Sequence, residues 1–208
     1  MADQVEWYPG EGADEEIARL QQLVGKITAY WAELEDSLFT VFVFALAGTL
    51  NVGSIEPYRA VFFTFPSYDA KMRMLHKAMK ARFPKGSDIM NEWLELRKSL
   101  NAFADLRNEI AHLIARPKYF RDPKVKAIVR LAPPFWKPDN HELIEFEQRG
   151  YSWDELTKAL APFWGFDPSL NIPPTGEPRL ASRLDKFHER LQPFRKRSPR
   201  EPRPDQIS

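Results

Sequence analysis

The chain has 208 residues, of which 43% are hydrophobic and 28% charged, figures that exclude a wholly disordered or collagen-like polymer. It has no cysteine, which excludes a disulfide scaffold, cysteine-ligated zinc, iron–sulfur clusters and any thiol nucleophile. The net charge of +1 conceals a polarity: residues 1–16 carry six acids and no base, whereas Arg195-Lys196-Arg197 opens a basic tail. The acidic start has no basic n-region followed by an apolar stretch, and the longest apolar run, Leu38–Ala47, is far short of the ~20 residues that span a bilayer. These features predict a soluble, cytoplasmic protein with no membrane partner.

The strongest periodic signal comes first. Ile17, Leu20, Val24, Ile27, Trp31, Leu34, Leu38, Val41 and Ala45 recur at spacings of three and four, the stripe of one long amphipathic helix that Gly48 caps. A short aromatic piece, Ile55–Phe63, reads as helical. Pro66 and Ser67 introduce a second helix of about 68–83, with Met74, Leu75, Ala78 and Met79 on its apolar face. After the Pro84-Lys85-Gly86 turn, Ser87 is an N-cap for a third long helix of roughly 88–115, striped by Ile89, Trp93, Leu96, Leu100, Phe103, Leu106, Ile110 and Leu113 and stopped by Pro117.

Proline then changes the texture: four of the 18 prolines lie in the first 110 residues and fourteen beyond. Lys124–Leu131 and His141–Phe146 read as short strands of a small hairpin. Ser152-Trp153-Asp154-Glu155 is a capping box that starts a helix to about Ala161, and Pro178–Leu191 reads as a last helix. The expected fold is mainly α: an antiparallel helical bundle over 13–115, a small mixed α/β C-terminal segment over 116–192 packed on it, and a disordered basic tail over 193–208. Trp31 and Trp93 belong to core stripes, and Trp136, Trp153 and Trp164 suggest that the second half is packed.

Inside the third helix, Asn101, Asp105, Asn108 and His112 make a polar stripe opposite the core face. Arg107 and His112 are five residues apart, about 140° round a helix, so a two-fold dimer is the simplest way to gather both around one cleft. Arg107, Asn108 and His112 resemble the signature of the HEPN family, an arginine followed by a polar residue and a histidine four to six residues on, set in a long helix of an antiparallel bundle. The resemblance covers about residues 15–115. It implies a metal-independent endoribonuclease built from two protomers, in which His112 is the general base, Arg107 the phosphate clamp and Asn108 an orienting residue. It further implies RNA as the substrate, no cofactor, and a role as a toxin or antiviral effector with an antitoxin or effector-complex partner. Glu33, Asp36, Asp105 and Glu109 are candidate supporting residues. The residue types suit the chemistry, because histidine titrates near neutrality and the arginine fork matches phosphate oxygens.

Two basic patches bear on the partner. Arg73, Lys77 and Lys80 recur along the second helix, and Arg116, Lys118, Arg121, Lys124, Lys126 and Arg130 follow the third, interleaved with Tyr119 and Phe120. Cations with aromatics suit single-stranded RNA. Other readings stand beside this one. The same face can serve a non-catalytic HEPN-like module that binds a partner protein or nucleic acid. Arg107 and His112 can instead satisfy a packing network with Glu109, Asp105 or Glu33. Glu109 and His112, with Asp185 and His188, also have the i, i+3 spacing of helical metal sites.

Overall fold

A computed structural model describes residues 6–49, 53–134, 150–165, 167–170, 172, 176 and 178–194. Among the described residues, six α-helices and two strands follow in chain order: α1 (Ala13–Ala47), α2 (Glu56–Thr64), α3 (Tyr68–Arg82), α4 (Asp88–Ile110), β1 (Ile114–Pro117), β2 (Val129–Ala132), α5 (Trp153–Trp164) and α6 (Leu180–Leu191). The protein is mainly α. Among the described residues no helix is long and apolar enough to cross a membrane.

Local signals set most helix ends. The Ser67 hydroxyl accepts the Ala70 N–H at 3.3 Å at the start of α3, and the Ser87 hydroxyl accepts the Met90 N–H at 3.3 Å at the start of α4. Ser152 and Glu155 close a full capping box on α5. That helix runs past Ala161 to Trp164, with Pro162 inside it. Gly48, at φ 75°, ends α1 in the left-handed conformation, its N–H donating to Phe44 O at 2.8 Å.

Two compact units divide the chain, one made of Met1–Ala32 with Ser99–Leu180, the other of Glu33–Lys98 with Ala181–Ser208. The expected boundary at 115/116 falls inside the first unit, and each unit draws on both halves of the sequence.

In the first unit, Leu20, Leu23 and Ile27 of α1 are buried, as are Leu100, Phe103 and Ile110 of α4 and Leu156, Leu160 and Trp164 of α5. Tyr30 links them: its ring lies 5.5 Å from Phe103 and 4.7 Å from Trp164, and its hydroxyl donates to Phe163 O at 3.0 Å. β1 and β2 pair antiparallel, Ile114 opposite Ala132 and Pro117 opposite Val129. β2 thus pairs with the segment directly after α4, a partner the sequence did not point to. The hairpin expected between Lys124–Leu131 and His141–Phe146 involves residues 141–146, which lie outside the described residues.

In the second unit the core comprises Leu34, Leu38, Phe42 and Phe44 of α1, Phe62 of α2, Leu75 and Met79 of α3, Trp93 of α4 and Leu184 and Phe187 of α6. Trp93 stacks on Phe187 with centroids 6.0 Å apart. Lys71 is buried among them, which its position on α3 did not foretell; Glu35 takes its ammonium at 2.8 Å, and the Phe62 and Phe63 rings flank it. Pro193 and Phe194, expected at the start of the disordered tail, belong to a 3-10 turn, Gln192–Phe194, that closes α6. The remainder of the tail lies outside the described residues.

Candidate functional site

The last two turns of α4 carry Asp105, Arg107, Asn108 and Glu109. The helix was expected to run to residue 115, but it stops at Ile110, and His112 stands outside it. Ala111 N–H still donates to Arg107 O at 3.0 Å; the next two donors tighten to i−3, His112 to Glu109 O at 3.1 Å and Leu113 to Ile110 O at 3.0 Å. From Ile114 the backbone is claimed by β2, and that pairing ends the helix where the hydrophobic stripe alone would extend it. His112 therefore does not share the helical face of Asn108, and the 140° separation from Arg107 calculated for one continuous helix does not apply.

Arg107 is half-buried. Its guanidinium sits 5.6 Å from the centre of the Trp31 ring, and Nη1 donates to Asn108 Oδ1 at 3.1 Å. Asn108 thus orients the arginine. Asp105 is exposed, as is His112, whose imidazole has no hydrogen-bond partner among the described residues. Glu109 is engaged elsewhere: Tyr151 Oη donates to Glu109 Oε2 at 2.9 Å. Burial, reinforced by the bond to Glu109 and the charges of Glu109 and Glu155, pushes the Tyr151 hydroxyl up to about 12. Glu33 and Asp36, exposed on α1, fall in the second unit.

Of the cations after the helix, Arg116 and Lys118 are half-buried, while Tyr119, Arg121, Lys124 and Lys126 are exposed. Arg130 leaves this surface group. It is 7% exposed and donates to Glu155 Oε2 at 2.6 Å and to Gly150 O at 3.0 Å, joining β2 to the cap of α5. The Ser152 backbone bond holds Glu155 below the usual carboxylate range, with further help from Arg130. Arg73, Lys77 and Lys80 are exposed along α3 in the second unit. Near Lys80, a cavity of about 360 Å³ is lined by His76, Lys80, Phe83, Lys85, Met90 and Leu94.

The second i, i+3 pair is occupied locally. Ser37 Oγ donates to Asp185 Oδ1 at 3.4 Å, and His188 Nε2 lies 2.9 Å from Gln192 Nε2. Among the described residues, no group of three or more His, Asp or Glu side chains is placed to hold a metal ion.

Sequence reasoning missed three contacts: Trp31 beneath Arg107, Tyr151 on Glu109, and Trp7, whose ring centre lies 5.4 Å from the Arg121 guanidinium. Trp31 was read as core alone. Tyr151 is 42 residues from Glu109, beyond the reach of any spacing rule. Trp7 stands in a short acidic segment with no periodicity; its one signal is an aromatic pair, Trp7-Tyr8, ahead of Pro9 and Gly10. Compared with protein-family models, with curated proteins and with solved structures, the chain finds no match.

Proposed function

We propose that the chain is a metal-independent endoribonuclease of HEPN type that cleaves single-stranded RNA by 2′-hydroxyl attack, works as a homodimer, and acts as a toxin or antiviral effector. The observation that carries this reading is the contrast between two neighbours: the His112 imidazole faces solvent with no partner among the described residues, while Glu109, its candidate partner in a packing network, bonds Tyr151. A histidine kept only for packing is ordinarily buried and bonded. Arg107 is held by Trp31 and Asn108 through one nitrogen and one face, so further guanidinium donors remain for a phosphate.

In this mechanism His112 takes the proton of the 2′-hydroxyl. The 2′ oxygen attacks the adjacent phosphorus, a P–O2′ bond forms and the P–O5′ bond breaks. Arg107 stabilises the charge on the non-bridging oxygens. The departing 5′ oxygen takes a proton from the imidazolium of the second copy or from water. The products are a 2′,3′-cyclic phosphate and a 5′-hydroxyl.

The test is cleavage of labelled single-stranded RNA by purified dimer in EDTA, with analysis of the new ends. Chelator-resistant cleavage to a cyclic phosphate is expected. Activity lost to EDTA and restored by manganese, iron or magnesium overturns the mechanism. RNA bound but never cut would assign the chain to the non-catalytic binding class.

A further inference from the structure

The N-terminal segment is threaded along the loop that follows β1. Tyr8 and Phe120 exchange both backbone hydrogen bonds, Tyr8 N–H to Phe120 O at 2.8 Å and Phe120 N–H to Tyr8 O at 2.7 Å. Three residues on, Glu11 N–H donates to Val125 O at 2.8 Å and Glu11 O accepts from Ala127 N–H at 2.9 Å. Between these anchors Gly10, at φ 84°, leaves no room for a side chain: a Cβ would stand 2.8 Å from Val125 O and 2.9 Å from Ala127 Cα. The segment is therefore pinned at both ends, and Trp7 is held beside the loop.

Alternation about the Tyr8–Phe120 pair decides which side chains meet. Trp7 and Arg121 flank that pair on one side, where the guanidinium lies 5.4 Å from the Trp7 ring centre. Tyr119 stands two residues before Arg121 on the same loop. Trp7 is 55% exposed and Tyr119 56%, so neither ring contributes much to the core. Lys118, Lys124 and Lys126 lie on the same loop. Of the acids nearby, Glu6 receives the Tyr8 hydroxyl, Asp122 Oδ1 accepts the Lys124 N–H at 2.9 Å, and Glu11 is anchored through its backbone.

We propose that Trp7, Tyr119 and Arg121 form a stacking platform for unpaired bases of single-stranded RNA, with the loop lysines following the phosphates. Two exposed rings, a guanidinium over one of them and lysines along the same loop match a polymer of flat bases and regular negative charge. A duplex, whose bases are already stacked, offers no such surface. The platform deepens the RNA reading above and rests on it for the identity of the polymer; its binding is separable from cleavage.

The test uses the full chain and a fluorescein-labelled 2′-O-methyl U12, which has no free 2′-hydroxyl and reports binding alone, with dT12 and a duplex as comparison probes. Anisotropy titration is expected to show at least about tenfold weaker binding for Trp7→Ala and for Tyr119→Ala, retention of most affinity by Trp7→Phe, and unchanged melting temperatures. Arg121→Ala is expected to weaken binding less and to shallow its salt dependence. Equal binding of dT12 identifies the ligand as single-stranded nucleic acid of either sugar, held by the same rings. The platform is overturned if the alanine variants bind as wild type does, if the duplex binds as tightly as U12, if wild type binds no single strand, or if Trp7→Ala converts a dimer to monomer. Weakened binding in a chain that never cuts RNA leaves the platform standing and removes the nuclease; cleavage with unaltered binding in the variants does the reverse.

Discussion

Tyr151 and Glu109 are 42 residues apart in the chain, yet the phenol donates to the carboxylate at 2.9 Å and so occupies the acid beside the proposed site. The same strand-like stretch binds β2: Tyr151 and Leu131 exchange backbone bonds of 2.8 and 2.9 Å. Through these contacts the approach to α5 is tied to the last turn of α4 and to the sheet that ends it.

Tyr151→Phe is expected to lower stability by about 0.5–1.5 kcal/mol at pH 7, the usual net worth of such a bond. The folded-state pKa, about 12, lies above the ordinary 10.0, so the contribution is complete below about pH 10 and disappears as pH rises through 12. Urea melts of both proteins at pH 8, 10 and 11.5 should show the difference narrowing only in alkali.

His112→Ala removes an exposed imidazole and should change stability by less than about 1 kcal/mol. RNA cleavage should nonetheless fall by ~10²–10⁴-fold, the usual loss when a general base is removed. Arg107→Ala should cost a similar factor in cleavage and somewhat more stability, because the guanidinium leaves the Trp31 face. A large fall in melting temperature for His112→Ala, with cleavage intact, would assign the residue to packing.

His76 makes the second unit sensitive to acid. Its Nδ1 accepts the Trp93 indole N–H at 3.1 Å, and burial, with Arg97 and Lys80 adding positive charge, holds its pKa below the ordinary 6.5. The unfolded chain therefore protonates first as pH falls. The stabilising effect of neutral His76 is complete above about pH 6.5 and is lost as pH drops through the folded-state value. Replacing it by Gln supplies an acceptor for Trp93 without a titration, so the loss of stability between pH 7 and 5 should be smaller in His76→Gln. A wild-type histidine signal that titrates at or above 6.5 by NMR would refute this.

Gly150→Ala probes the contact between β2 and the approach to α5. Gly150 has φ 59°, and a Cβ there would stand 1.7 Å from Leu131 O, an overlap that only backbone movement can relieve. The substitution should destabilise by more than about 1 kcal/mol and should weaken the Arg130 bond to Gly150 O. Hydrogen exchange should accelerate at Leu131 and Tyr151. Gly86→Ala, with φ 83° and open space around it, should cost less.

What the sequence by itself determined is local. The stripe from Ile17 to Ala45, the caps at Ser67, Ser87 and Ser152, and the Gly48 stop all act within one helical turn of the residues they govern, and the helices start or end where those signals stand. Residue type and order are also what put Arg107, Asn108 and His112 forward as candidates for the proposed chemistry. Tertiary structure decided how they are held. Whether α4 continues past Ile110 depends on β2 claiming the backbone from Ile114; whether Arg130 is surface or core depends on Glu155 and Gly150 reaching it; whether Glu109 is available depends on Tyr151. Trp7 joins Arg121 because Tyr8 found a free backbone edge at Phe120, across more than a hundred residues of chain. Periodicity and capping are set by neighbours along the chain, whereas a strand edge, a buried cation or a shared carboxylate takes its partner from whichever segment folding brings within hydrogen-bond reach.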